Sequence, residues 1–524
     1  MPIAPLTLQE NYWEDFQIQD FDLEYLYNYL LEKETPQTSI ELAQVLVEER
    51  IRIEKQKLED KQKEGGDLYL PKNHYQAGQS LVFPALNWQR GVILSVRPGQ
   101  NPEYEPFEVI KVRFDNGDER EYAAGLQDHA LNTPVLVNTS APELNPAHVL
   151  KKYGKEIARK VTEEFTANED LVRIAGRWFP RSLLVDVNIG YLNLAEAVLE
   201  MAGGGPLTTQ QILEQIELPT DTNPNLTQFS LNLALQEDDR FDEVGPAGEI
   251  LWYLKRLEPE GVRSIPPTLN YVPVDINPKE LGDALYELES LVTDEHELTA
   301  DQPEETDHVT LSLIYPHWRA GTLPITTQLR GFFPTAYESP RIQFSFRDKE
   351  SGKLYDGWVV RSHNYIIGLR DWYLEKDLLP GSLVTIYHSD RPGEVIIHAH
   401  TKRPTKEWVR TVLIGNDGGV VFAMLKQPMA CEYDERMVIA VPDPDALDRV
   451  WESPARSRQS LEQAVMNTMR ELAKLNPQGQ VHAQELYAAV NISRRCPPAP
   501  ILAYLARNPK VTHLGDLYFR IDES

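Results

Sequence analysis

The sequence is poor in the residues that most catalytic and secreted proteins rely on. Only Cys431 and Cys496 occur in 524 residues, far apart and outside any C-x-x-C pair. Neither a disulfide framework nor a cysteine zinc site can therefore be built within the chain, and both are expected to be buried small hydrophobes. No stretch approaches the roughly 20 consecutive apolar residues that span a bilayer. The opening MPIAPLTLQENYWEDF turns acidic and aromatic at once, where a secretory signal would show a basic end and an apolar run, so a cytoplasmic location and no membrane partner are expected. Positive charge is also scarce: 52 lysines and arginines face 80 acids, a formal net charge of -28. A protein that coats DNA presents a basic face and releases counterions; here any contact with nucleic acid must be local, or made through a partner.

Signatures of chemistry are missing too. There is no G-x-x-x-x-G-K-[ST] phosphate cradle and no G-x-S-x-G elbow. The glycines at 203 to 205 follow one helix and precede another, which reads as a helix stop, whereas a dinucleotide loop would follow a strand. His398 and His400 flank Ala399 on a predicted strand, so a period of two puts both on one face, near His388. Without a third ligand on that face they read as an exposed pair at a barrel rim. No enzyme, cofactor, metal or small-molecule substrate is expected.

What is present is repetition. At 41% hydrophobic and 25% charged the composition is globular, and at roughly 100 to 200 residues per domain the chain should hold three to five. A helix at 22 to 33, a turn at Thr35 and Pro36, a helix capped by Thr38 or Ser39 and a strand at Asp67 to Leu70 form the first segment. The second runs from the helix at 192 to 201 through helices at 209 and 224 to 235, ending in a hairpin that carries Phe241 to Leu254. The third has a helix at 461 to 475, an extended stretch at Val481, helices at 483 to 490 and after Pro497, and a hairpin at 511 to 521. Helix, short strand, helix, helix, ribbon is the order of a winged helix. The segments end alike in GDLYL, GEILWYL and GDLYF, with Tyr69, Trp252 and Tyr518 expected in the cores. A further hairpin, Leu171 to Phe179, follows the helix at 148 to 165 and reads as the remnant of a fourth unit.

Between these lie two β-rich regions. Residues 75 to 131 alternate through short strands with Asn116-Gly117 as a hairpin turn, and look like a small Tudor or KOW barrel. Residues 308 to about 440 form a larger β region, in which LPITTQLRGFFP and the strands after it are loosely similar to the plant-type DNA-binding pseudobarrel. The expected class is α+β multidomain, three winged-helix units interspersed with two small β-barrels. Its parts are a winged-helix-like domain (1–74), a barrel (75–135), a helix with hairpin (140–189), a winged helix (190–258), an acidic linker (259–307), a pseudobarrel (308–455) and a C-terminal winged helix (456–524).

The helix LAEAVL at 194 to 199, the run PLTTQQI at 206 to 212 and DDRFDEVGPAGEILWYL at 238 to 254 resemble the HARE-HTH winged-helix family, found also in the delta subunit of bacterial RNA polymerase. The resemblance covers about residues 190 to 256 and implies association with transcription or chromatin-like machinery, and no chemistry.

In a winged helix the third helix enters the major groove and the wing touches phosphate. From Thr208 to Asp239 there is no lysine or arginine, so the middle unit reads as a protein dock. The C-terminal unit has Arg494 and Arg495 at the start of its third helix and Arg507 and Lys510 near its wing, placed to pair with phosphates or guanine edges. A second cluster is Lys151, Lys152, Lys155, Arg159 and Lys160, with positions 152, 155 and 159 on one helical face and Arg173, Arg177 and Arg181 close behind. A third is Lys402, Arg403, Lys406 and Arg410. The expectation is a non-enzymatic accessory protein binding double-stranded DNA or RNA polymerase. The alternatives are a protein-interaction scaffold, or a specificity subunit of a DNA-processing or defence complex.

Overall fold

The computed structural model describes residues 11–64, 67–83, 86, 89–101, 105–132, 142–218, 223–246, 248–299, 306–336, 339–415, 418–453 and 459–522. It is a mixed α+β protein with several separate sheets. The chain divides into two compact units, Met1–Val185 and Asp186–Ser524. Among the described residues no helix is long and apolar enough to cross a membrane.

In the first unit α1 (Asp20–Lys33) leads through the short β1 (Gln37–Thr38) into α2 (Ser39–Glu64). Thr38 and Glu41 form a capping box: the Thr38 N–H donates to the Glu41 carboxylate at 2.7 Å and the Glu41 N–H to the Thr38 hydroxyl at 3.2 Å. An antiparallel and parallel sheet follows, β2 (Asp67–Leu68), β3 (Ser80–Phe83), β4 (Gln89–Pro98), β5 (Glu108–Phe114) and β6 (Glu119–Ala124), in sequence order. The chain then returns as α3 (Pro146–Thr166), capped by Asn145, and the hairpin β7 (Leu171–Ile174) and β8 (Arg177–Pro180). The hairpin turns at Ala175 and Gly176, both at positive φ (47° and 75°), as a two-residue type I′ turn requires.

Two expectations change here. The segments at 1–74 and 140–189 share one core: Leu26 and Leu30 of α1, Leu46 and Ile51 of α2, and Val161 and Phe165 of α3 pack together with Trp178. β1 pairs with β8, Gln37 opposite Trp178, so the hairpin expected as a remnant completes the first three-helix unit, and the five-stranded sheet is an insertion between its second and third helices. The DLYL strand belongs to that insertion. Asp67 pairs in parallel with Leu81, Tyr69 stacks on Phe83 at 4.6 Å, and its hydroxyl donates to the Ala123 carbonyl at 2.6 Å. An aromatic strand fills either kind of interior equally well, which is why its ending matched the other two.

The second unit begins with the same order: α4 (Ile189–Met201), β9 (Leu207–Thr208), α5 (Thr209–Ile216), α6 (Pro224–Glu237), then β10 (Phe241–Glu243) and β11 (Leu251–Leu254). Next come α7 (Glu260–Arg263), α8 (Asp283–Leu291), β12 (His308–Ser312), α9 (Tyr315–Ala320), β13 (Thr322–Pro324), β14 (Arg341–Asp348), β15 (Leu354–Val360), β16 (Tyr365–Ile367), α10 (Arg370–Glu375), β17 (Leu383–His388) and β18 (Glu394–Ala399). Seven of these strands form one sheet, ordered β12-β17-β18-β14-β15-β16-β13. A long two-stranded ribbon, β19 (Thr401–Ile414) and β20 (Val420–Cys431), and α11 (Pro444–Glu452) precede the final elements. These are α12 (Leu461–Ala473), β21 (Gln480–His482), α13 (Ala483–Ser493), α14 (Pro498–Arg507), β22 (Val511–Gly515) and β23 (Tyr518–Ile521).

The three small sheets have one topology, β1-β8-β7, β9-β11-β10 and β21-β23-β22, and one register. The residue two before the second helix faces a buried aromatic of the last strand: Gln37 faces Trp178, Leu207 faces Trp252, and Val481 faces Phe519. Trp178 donates its indole N–H to Ser39 at 2.9 Å and Trp252 to Thr209 at 3.2 Å, each the first residue of the second helix. The third unit has Ala483 there, and its aromatic is a phenylalanine without a donor.

The segment expected as an acidic linker is ordered over 259–299 and builds the core. Leu285 and Leu288 of α8 join the cluster shared by the seven-stranded sheet and the C-terminal elements, and Asp294 and Glu295 are buried. The middle unit's hairpin is fastened to the same sheet: the Gln343 N–H donates to the Val244 carbonyl at 2.9 Å, and Arg341 bonds Asp242 at 3.1 Å and Glu258 at 2.8 Å. Burial, with Asp242 alongside, pushes the Glu258 carboxyl up to about 8.

Candidate nucleic-acid interface

Three helices occupy the third position of the repeated unit, and their surfaces differ. In α14 nearly every side chain is buried, from Pro498 through Ala503 and again at Leu505, and α8 packs against it. The middle helix α6 buries Leu226, Leu231 and Leu235, and also Phe229, Ser230 and Asn232. The insertion-separated α3 buries a single stripe, Val149, Ile157, Ala158, Val161 and Phe165, and leaves the remaining face open.

That open face carries the basic cluster. Lys151, Lys152 and Lys155 are exposed; Lys151 and Lys155 form no ion pair with a described residue, and Lys152 lies 3.7 Å from Glu14 and 4.8 Å from the Tyr153 ring. Arg159 is committed to Glu156 at 2.5 Å and to Glu163, and Lys160 donates to the Phe16 carbonyl at 2.6 Å. The cations available to a ligand therefore sit in the N-terminal half of α3. On the adjoining hairpin, Arg173 lies over the Trp178 ring at 5.5 Å, Arg177 donates to the Pro36 carbonyl at 3.1 Å beside Glu41 at 3.4 Å, and Arg181 is exposed at the end of β8.

The C-terminal candidates are placed otherwise. Arg495 is 2% exposed and is a structural cation, not a surface contact. It donates to Asp294 at 2.6 Å, Glu295 at 3.2 Å and Asn491 at 3.3 Å; the Tyr487 hydroxyl completes Asp294 at 2.7 Å, and the His317 Nε2 lies 2.9 Å from Glu295. Burial alone would raise the Glu295 carboxyl, but Arg495 and His317 outweigh it and hold it below the usual carboxylate range. Arg494 is half-buried and donates to the Gln459 carbonyl at 2.5 Å. Arg507 is exposed and paired with Glu280 at 3.1 Å. Lys510 is exposed, with no ion pair to a described residue.

On the ribbon, Lys402 pairs with Glu407 at 2.8 Å, and Arg410 is drawn in to Glu485 at 3.1 Å and the Arg436 carbonyl at 2.9 Å. Arg403 and Lys406 are exposed. His398 and His400 lie with ring centroids 4.8 Å apart; His400 bonds Thr385 at 2.7 Å, and His388 stacks on Phe332 at 4.0 Å. Among the described residues no group of three or more His, Cys, Asp and Glu is placed to hold a metal.

The pattern that unites the repeats was open to sequence reading: TSIEL at 38 to 42, TTQQI at 208 to 212 and HAQEL at 482 to 486 align a cap, a small residue and, three after the cap, an acid or amide that closes a capping box in the first two units. Comparison of the chain with protein-family models, curated proteins and solved structures gave no match.

Proposed function

We propose that the chain is a non-enzymatic accessory protein that binds double-stranded DNA through α3 and the β7–β8 hairpin, reading the three repeated units as winged helices. The observation that carries this is that α3 alone, of the three equivalent helices, combines an open face with two lysines, Lys151 and Lys155, that form no ion pair with a described residue. Residues 146–166 hold five cations against three glutamates in a chain of net charge -28, which concentrates phosphate attraction at one place. In this reading the inserted sheet at 67–124 is a Tudor- or KOW-like barrel, the region at 308–455 a pseudobarrel, and the HARE-HTH-like segment at 190–256 the tie to RNA polymerase or a similar partner.

Mobility shifts with a labelled duplex at several salt concentrations test it. The wild-type chain binds with an affinity that falls steeply with salt, and K151E/K152E/K155E weakens binding about tenfold or more and flattens the salt slope by about one for each lysine lost. No duplex binding at low ionic strength, with or without polymerase, refutes the reading. The strongly acidic total favours a second reading, a protein-interaction scaffold or specificity subunit, for which a stoichiometric partner that survives nuclease treatment is the supporting result.

A further inference from the structure

The β19–β20 ribbon carries the one exposed tryptophan among the described residues, Trp408. Its two strands carry Lys402, Arg403, Lys406, Arg410 and Lys426 against one acid, Glu407. Lys402 and Arg410 are neutralised within the chain; Arg403, Lys406 and Lys426 are exposed and form no ion pair with a described residue. Directly opposite Lys426 in the ladder stands Trp408, 62% exposed, with the Lys426 ammonium 5.4 Å from the ring centroid. By the two-residue period Lys406, Trp408, Lys426 and Pro428 share one face, and all four are exposed.

An exposed indole presents a flat aromatic face that a planar ligand can stack on. The two lysines on its face, Lys406 and Lys426, exclude a purely apolar cover and favour a polyanion. A flat aromatic flanked by cations is the arrangement that holds single-stranded nucleic acid, with bases stacking on the ring and phosphates meeting the ammonium groups; a duplex offers no base face to stack. The turn end of the ribbon continues the cationic lining. Val412, Ile414 and Val420 form one wall of a cleft of about 1090 Å³ whose other walls include Arg449, Arg470 and Arg494. The cleft's two acids are engaged elsewhere, Asp443 capping α11 through the Ala446 N–H at 2.9 Å and Glu471 pairing with Lys474 at 2.5 Å.

We infer that the ribbon face formed by Lys406, Trp408 and Lys426 is a binding site for single-stranded nucleic acid. The site does not depend on α3: it belongs to the other compact unit and takes the unpaired form of the polymer.

The experiment uses the full chain and a fluorescein-labelled oligothymidylate of about twelve nucleotides, inside the usual range of single-strand site sizes, read by anisotropy at low and moderate salt. Wild type binds; Trp408→Ala weakens binding about tenfold, Trp408→Phe recovers most of it, and K406E/K426E lowers both affinity and salt slope. Far-UV circular dichroism confirms that each variant is folded. K151E/K152E/K155E leaves oligothymidylate binding unchanged while weakening the duplex, so the two sites fail separately. The inference is overturned if wild type shows no oligothymidylate affinity at low salt, or if Trp408→Ala binds as well as wild type. It is equally overturned if Trp408 proves necessary only for a nuclease-resistant protein partner.

Discussion

Helices α3 and α14 hold the same place in the same unit, yet one is half solvent and the other almost wholly core. Order, sheet topology and register agree between their units, so the difference lies in what surrounds them. The sequence PAPILAYLAR leaves no polar face to α14, and α8 covers it; PAHVLKKYGKEIARKVTEEFT gives α3 one apolar stripe and a charged remainder. A helix buried on both faces cannot be laid in a groove about 12 Å wide without first being stripped of its neighbours. Topology alone therefore does not distinguish these helices; the burial of the second face does.

The largest effect that tests this contrast is on stability. Arg495→Ala removes the cation that bridges the buried Asp294 and Glu295, leaving them such partners as the Tyr487 hydroxyl and His317, and should destabilise the unit by about 3–5 kcal/mol in chemical denaturation. Duplex affinity, measured where the variant is still folded, should not change. If affinity falls while stability holds, Arg495 is a contact after all and the contrast with α3 collapses. The charge reversal of Lys151, Lys152 and Lys155 is the mirror experiment, acting on affinity with little effect on the melting curve, because those side chains are exposed.

The sequence showed much of this and misled at three points, for two physical reasons. The helices and the closing hairpins of the second and third units follow from local spacing, and the basic run at 151 to 160 could be read directly. The partners of Arg495 could not: Asp294 and Glu295 lie about two hundred positions away, and a local reading sees only two adjacent arginines in a loop. The first unit was obscured because a sheet of its own, residues 67–124, separates α2 from α3, and its DLYL strand imitates the closing strand it precedes. The same long-range pairing governs the former linker, whose acids look solvated until Arg495 and Tyr487 are brought to them.

A smaller effect sharpens the equivalence of the repeats themselves. Trp178→Phe keeps the edge-to-face packing on Phe165 at 5.5 Å but removes the donor to Ser39, and should cost about 1 kcal/mol by denaturant titration. A loss several times larger would mean that Trp178 is held by packing alone and that its correspondence with Trp252 is accidental.

The smallest effect is a difference in pH response between units that share a cap position. Thr38 and Thr208 cap the second helices of the first two units, but the third uses His482, whose Nδ1 accepts from the Gln484 N–H at 3.1 Å. Acceptance requires a neutral imidazole. Burial first, and the nearby Arg436 charge second, push the His482 pKa down to about 4, whereas the unfolded chain titrates near 6.5. Between those values the unfolded state binds the extra proton, so this contribution to stability is complete above about 6.5 and is lost as pH falls toward 4. Thermal melts of the full chain should show the transition of the Asp186–Ser524 unit moving down over that interval, and His482→Thr, which restores the cap of the other two units without a titrating group, should flatten that part of the pH dependence. An unchanged slope in the Thr variant would show that His482 does not set the acid sensitivity, and the cap positions would then differ in chemistry but not in consequence.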